Sequence, residues 1–93
     1  METVPQIGQI VKVLRGKGEG EYAVVIGIID ARTVLIADGG KRRFDRPKKK
    51  NVLHLELQPF ISPEVAGSMS ETGRVTNAKL RYAIQKYMQA KGE

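Results

Sequence analysis

GQIVKVLRGKGEGEYAVVIGIID, residues 8–30, is the stretch whose reading decides the fold. Its first part, residues 8–15, alternates Ile10, Lys12 and Leu14 with Val11, Val13 and Arg15, and glycines bound it on both sides. A short β-branched run of this kind predicts a strand rather than a helix. GKGEG follows at residues 16–20, where three glycines in five positions supply the positive φ angles of a tight connection. The run YAVVIGIID, residues 22–30, is then apolar on both faces, the pattern of a strand buried at the centre of a curled sheet. Gly27 within it predicts the bend or bulge that a small barrel needs in order to close.

Working outward, residues 30–32 read as a turn, TVLIA (33–37) as a third strand, and Asp38, Gly39 and Gly40 as a hairpin signal. KRRF (41–44) then reads as the returning strand. Pro47 excludes a central strand around the basic run, so residues 45–51 are expected as an exposed loop. VLHLELQ (52–58) sets Leu53, Leu55 and Leu57 against His54, Glu56 and Gln58, predicting a fifth, half-buried strand that Pro59 ends. Five short strands in about 50 residues predict a small barrel, since closure removes exposed edges.

Past the strands, Ser62, Pro63 and Glu64 have the chemistry of an N-cap, a first-turn proline and an acid near the helix dipole. They predict a short helical turn over residues 62–69, followed by a linker at 70–73. Thr76 predicts the N-cap of a last helix, with Val75 and Leu80 placed as a hydrophobic staple. Within residues 77–91, Leu80, Ala83, Ile84, Tyr87 and Met88 share one helical face, and Lys79, Arg81, Gln85, Lys86 and Gln89 occupy much of the rest. That apolar stripe needs a cover, from the barrel, another chain or a ligand. The expected organisation is mainly β: a barrel over residues 1–60, then a linker and a basic amphipathic helical tail over 61–93.

Charge points to the partner. The 93 residues carry a net +6, concentrated in two blocks: residues 41–50 hold seven basic residues and one acidic, and residues 74–93 hold five and one. Lys41, Arg42, Arg43, Arg46, Lys48, Lys49 and Lys50 form the first block; Arg74, Lys79, Arg81, Lys86 and Lys91 form the second. Such clusters suit a polyanion, because each neutralised phosphate releases condensed counterions. Arginine can bond phosphate with two parallel donors and stack on bases, whereas lysine acts as a point charge. Phe44, embedded in the basic block, is the best-placed aromatic to stack on a base, with barrel packing the competing role. The aromatic content of 5% argues against a large stacking surface. Tight hairpins bearing such cations fit recognition of folded RNA by shape rather than by sequence.

Residues 8–30 also resemble the KOW motif, which joins two strands through a glycine-bearing loop and occurs in ribosomal and transcription-elongation proteins. Gly16 and Gly20 match its loop glycines, and Ala23 stands where many members have a further glycine. The order that follows, VLIADG, a basic hairpin, PKKKN and a strand bearing His54 and Leu55, is similar to bacterial KOW-domain proteins related to the large-subunit ribosomal proteins of the "L fourteen e" type. The resemblance covers roughly residues 7–58, and ETGRVTNAKLRYAIQKY (71–87) is similar to the ending of the small bacterial members. It implies an SH3-like barrel, RNA binding with rRNA as the first choice, association with the ribosome, and RNA contacts by Lys12, Arg15 and Lys17 beside the loop.

Other chemistry has little to stand on. A glycine-rich phosphate loop requires a helix after the loop, and a strand follows here. His54 is the only histidine and there is no cysteine, so the common zinc sets cannot be completed and no disulfide framework exists. Ser62, Ser68 and Ser70 have no histidine nearby in sequence, and the acid pairs Glu19 with Glu21 and Asp30 with Asp38 read as solvated turns. No enzyme activity and no cofactor are expected. No apolar run approaches the roughly 20 residues of a membrane helix, and METVPQIGQI lacks a signal-peptide profile, so a cytoplasmic, membrane-free protein is expected. The alternative is a protein-interaction module that binds a ribosomal or transcription-machinery protein through the barrel or the tail stripe.

Overall fold

The computed structural model describes residues 4–92; the 1–60 and 61–93 division and the reading of the first ten residues reach past those limits, at residues 1–3 and 93. Five strands, β1 (Gln9–Val13), β2 (Tyr22–Asp30), β3 (Thr33–Ala37), β4 (Lys48–Asn51) and β5 (Leu55–Ile61), form one sheet in the order β4-β3-β2-β1-β5. All neighbouring pairs are antiparallel. The two edge strands are joined by a single 3₁₀ turn, Val52–His54. In a flat sheet those edges would lie about 19 Å apart, whereas three 3₁₀ residues rise only about 6 Å. The sheet therefore curls into a barrel-like shape. Hydrogen bonds from Val52 N to Arg32 O and from Leu14 N to His54 O, both 2.8 Å, hold the connection across the barrel end.

Curling gives β2 two buried faces. Val11, Val13, Ala23, Val25, Val34, Ile36 and Leu55 pack inside the curl. Ile10, Val24, Ile26 and Ala37 lie on the other face, under Val65 of α1 (Pro63–Thr72) and Leu80 and Ala83 of α2 (Asn77–Lys91). The tail stripe is thus covered by the chain's own sheet and α1 from Leu80 to Tyr87, while Met88 at its end stays exposed. Tyr87 extends this contact: its ring stacks on Phe60 at 5.6 Å and lies 6.0 Å from Tyr22, and its hydroxyl donates to Gln58 Oε1 at 2.7 Å. Among the described residues, no helix is long and apolar enough to cross a membrane.

The register of β2 with β3 shifts between Val25 and Gly27, so the bulge forms at the expected glycine. Four expectations fail. Residues 41–44 are not a strand, and the returning strand is β4, Lys48–Asn51, where an exposed loop was expected. Its lysines have little strand preference, but β4 lies at a sheet edge, where charged side chains are well placed. Pro47 sits just before it and interrupts no ladder. Val52–His54 is a 3₁₀ turn because Asn51 Oδ1 accepts from Leu53 N, which leaves Leu53 78% exposed. Pro59 does not end β5. Between the pairs Val11↔Leu57 and Gln9↔Ile61, β5 spends two extra residues, and the proline lies in that bulge, where Gln9 Nε2 donates to Gln58 O. Finally, residues 70–72 continue α1 rather than forming a linker, and Gly73, at φ +73°, closes the helix.

Ser62 caps α1 from a fully buried position: Oγ accepts from Val65 N at 3.2 Å and donates to Glu64 Oε1. Ser62→Ala should leave a buried amide without its partner and cost about 2 kcal/mol. Urea unfolding should show this as a lowered midpoint with an unchanged slope.

Candidate nucleic-acid interface

Residues 38–47 link β3 to β4 and carry most of the first basic block. This link is clasped rather than loose. Asp38 Oδ1 accepts from Gly40 N (2.8 Å) and Arg42 N (2.9 Å), while Asp38 N and Gly39 N both donate to Arg42 O. α2 holds it from outside: Asn77 Oδ1 accepts from Phe44 N at 2.8 Å, and Arg81 Nη1 donates to Gly39 O at 2.6 Å. The backbone beneath the cations is consequently fixed at both ends.

A cleft of about 520 Å³ lies between this link and the glycine-rich loop, lined by Lys17, Gly18, Glu21, Lys41, Arg42 and Lys48. Arg42 Nη2 donates to Lys17 O at 2.9 Å, which joins loop to link. Gly18, at φ +89°, leaves room for that guanidinium, which a β-carbon would approach to 3.2 Å. Four cations face one carboxylate, since Glu21 is paired with Lys41 at 2.9 Å. That pair is largely exposed and correspondingly weak. An anion entering the cleft therefore meets fixed positive charge and one easily displaced competitor.

A second cleft, about 760 Å³, opens on the other bank of the link. Arg43, Phe44 and Asp45 line one side, Ser68 and Thr72 of α1 another, and Arg74, Val75, Thr76 and Asn77 the joint between the helices. Phe44 is half-buried and packs against the helix–sheet core while lining this cleft.

The remaining predicted residues divide by what they touch. Lys48 and Lys50 share the sheet face of Ile36 and Val34, their partners across the β3–β4 ladder. Lys48 is exposed, but Lys50 is buried and spends its ammonium on Arg15 O at 2.8 Å, against the expectation of an exposed loop. The alkyl stem is buried on the face of Val34 and only the tip is polar. Lys49, Arg46 and Arg15 are exposed, and Lys12 lies half-buried with its ammonium 6.0 Å from the Tyr22 ring centre. Of the predicted tail cations, Arg74 lines the second cleft. Lys79 donates to Ser68 Oγ at 2.8 Å, Arg81 braces Gly39, and Lys86 pairs with Glu64 at 3.4 Å and lies over the Tyr82 ring. These three act first as struts between α2 and its neighbours.

Two carboxyls titrate below their ordinary values, both outside the clefts. Glu64 is held down first by its own backbone N–H and then by Lys86, and Asp30 first by the Arg32 N–H. Sequence reasoning missed Asp38, Gly39, Glu21 and Asn77. The first three stood out only as turn or solvated residues, and Asn77 only as the start of a helix.

No protein-family model matches this sequence. The chain is similar to the "Putative ribosome-binding protein YbzG" of Bacillus subtilis (strain 168), 54% identical over 71 residues that span 76% of this chain and 96% of the relative. At that identity and coverage, the chain belongs to the same family as that Bacillus protein.

Proposed function

We propose that this protein is a non-enzymatic, cytoplasmic ribosome-associated protein that grips rRNA phosphates with the cations of its β3–β4 link and its glycine-rich loop. The observation that carries this is the convergence of Lys17, Lys41, Arg42 and Lys48 on one cleft from two separate loops. The relative's name supports ribosome binding. The KOW-like residues 8–30 support kinship with "L fourteen e" type ribosomal proteins and RNA as the bound component.

Engaging roughly 4 to 6 phosphates gives a slope of log affinity against log salt of about −3 to −5. Ribosome co-sedimentation across a salt series measures it, and isolated rRNA should compete for the protein under the same conditions. The second reading, docking on a ribosomal protein, has its own observation: Leu14 and Leu53 are exposed near one barrel end, while the α2 stripe apart from Met88 is used internally. An apolar contact of that kind would persist at about 0.5 M salt and ignore competing rRNA. Persistence would reject the phosphate reading.

A further inference from the structure

The β3–β4 link is a ridge between two clefts, and consecutive residues serve opposite banks: Arg42 lines one and Arg43 the other. The first cleft is a cation cluster. The second differs in kind, because it combines one aromatic residue, two arginines from separate elements and the polar residues Ser68, Thr72, Thr76 and Asn77. Its volume of about 760 Å³ lies within the roughly 300–1,000 Å³ of sites that enclose a small organic group.

We propose that this second cleft receives the base of one unpaired RNA nucleotide, with Phe44 as its stacking wall and Arg43 and Arg74 on the adjoining phosphates. The inference rests on the RNA reading above and adds to it a preference for unpaired over duplex RNA.

Three features favour this occupant. Phe44 is set in place from two directions, by the core it packs against and by the bond from its N–H to Asn77 Oδ1, so a base would meet a prearranged surface. The joint carrying Arg74 is likewise fixed, since Thr72 Oγ1 donates to Ser68 O and accepts from Arg74 N. The charge is complementary to phosphate: Asp45 is the one acid in the lining, lies 3.9 Å from Arg43 and is 74% exposed, so it neutralises little. An apolar peptide would leave both guanidinium groups unmatched. A duplex keeps its bases stacked and has no use for the aromatic wall, whereas unpaired nucleotides splay bases onto such side chains.

The test uses a short single-stranded RNA containing a fluorescent adenine analogue, and the same sequence locked in a hairpin stem. Binding of the single strand should quench the analogue, and the stem should bind without further quenching. Phe44→Leu keeps an apolar side chain for the core; it should weaken single-strand binding about tenfold, abolish the quench and leave stem binding unchanged. Arg74→Gln, at an exposed position, should reduce the single-strand salt slope by about 0.7 and serves as the second variant if Phe44→Leu unfolds. An unquenched analogue on bound wild-type protein, or a quench that survives in folded Phe44→Leu, overturns the cleft assignment while salt-dependent RNA binding stands. Absence of salt-dependent binding to either RNA removes the RNA reading and this inference together.

Discussion

Gly39→Ala should destabilise the protein by about 3 kcal/mol and detach α2 from the β3–β4 link. Two effects add. Gly39 has φ +81°, a conformation that costs a residue with a β-carbon about 1–2 kcal/mol. A β-carbon there would also press into the Asn77 carbonyl group and come within 3.0 Å of Arg81 Cγ, an overpacking of backbone against backbone worth about 1–3 kcal/mol. Relief requires α2 to move, and that breaks the Arg81–Gly39 and Asn77–Phe44 hydrogen bonds. Gly20 separates the two effects. It has φ +89° but nothing within 4 Å of its would-be β-carbon, so Gly20→Ala should lose only the conformational part. Equal losses for the two variants in urea unfolding would mean that close approach of α2 contributes nothing. A larger loss for Gly39→Ala, joined to weaker RNA binding, would tie the helix to the geometry of both clefts.

Those same contacts explain what could be read from the sequence and what could not. β2 and β3 were legible to the residue because their β-branched runs are bounded by turn chemistry on each side. Ser62 and Thr76 were legible as caps because their hydroxyls bond amides three residues ahead, an interaction local in sequence. In the link at residues 38–47 the turn at Asp38–Gly40 was legible from its local bonds, but the course of residues 41–47 was not, because Asn77 and Arg81, more than 30 positions away, brace it. Edge position was equally hidden. It lets KKKN form a strand and lets β5 pass through Pro59, and sheet order is a property of the whole fold. The cations were found by counting, but counting could not separate Lys17, Lys41 and Lys48, which line a cleft, from Lys50, Lys79 and Lys86, whose ammonium groups are spent on Arg15 O, Ser68 and Glu64 away from it.

That separation predicts unequal effects for equal changes in charge. Lys17, Lys41 and Lys48 are all exposed, so replacing the three with glutamine should leave the fold intact. If each holds one phosphate, each contributes about 0.7–0.9 of a decade of affinity at 0.1 M salt relative to 1 M. The triple variant should therefore bind ribosomes roughly 100- to 500-fold more weakly at 0.1 M, with a salt slope shallower by about 2 to 3. Lys79 and Lys86 are also exposed, but they line neither cleft and serve Ser68 and Glu64, so their double glutamine variant should cost less than about threefold, as weak long-range attraction alone. Glu21→Gln carries the opposite sign. It frees Lys41 from its carboxylate and removes a negative charge from the cleft, so affinity should rise several-fold at low salt. Binding measured by sedimentation for the three proteins decides between a site and a diffuse field. If loss simply tracks net charge, with the tail lysines as costly per charge as the cleft lysines and Glu21→Gln without a distinct gain, the cleft has no special role and ribosome binding reflects the molecule's overall charge.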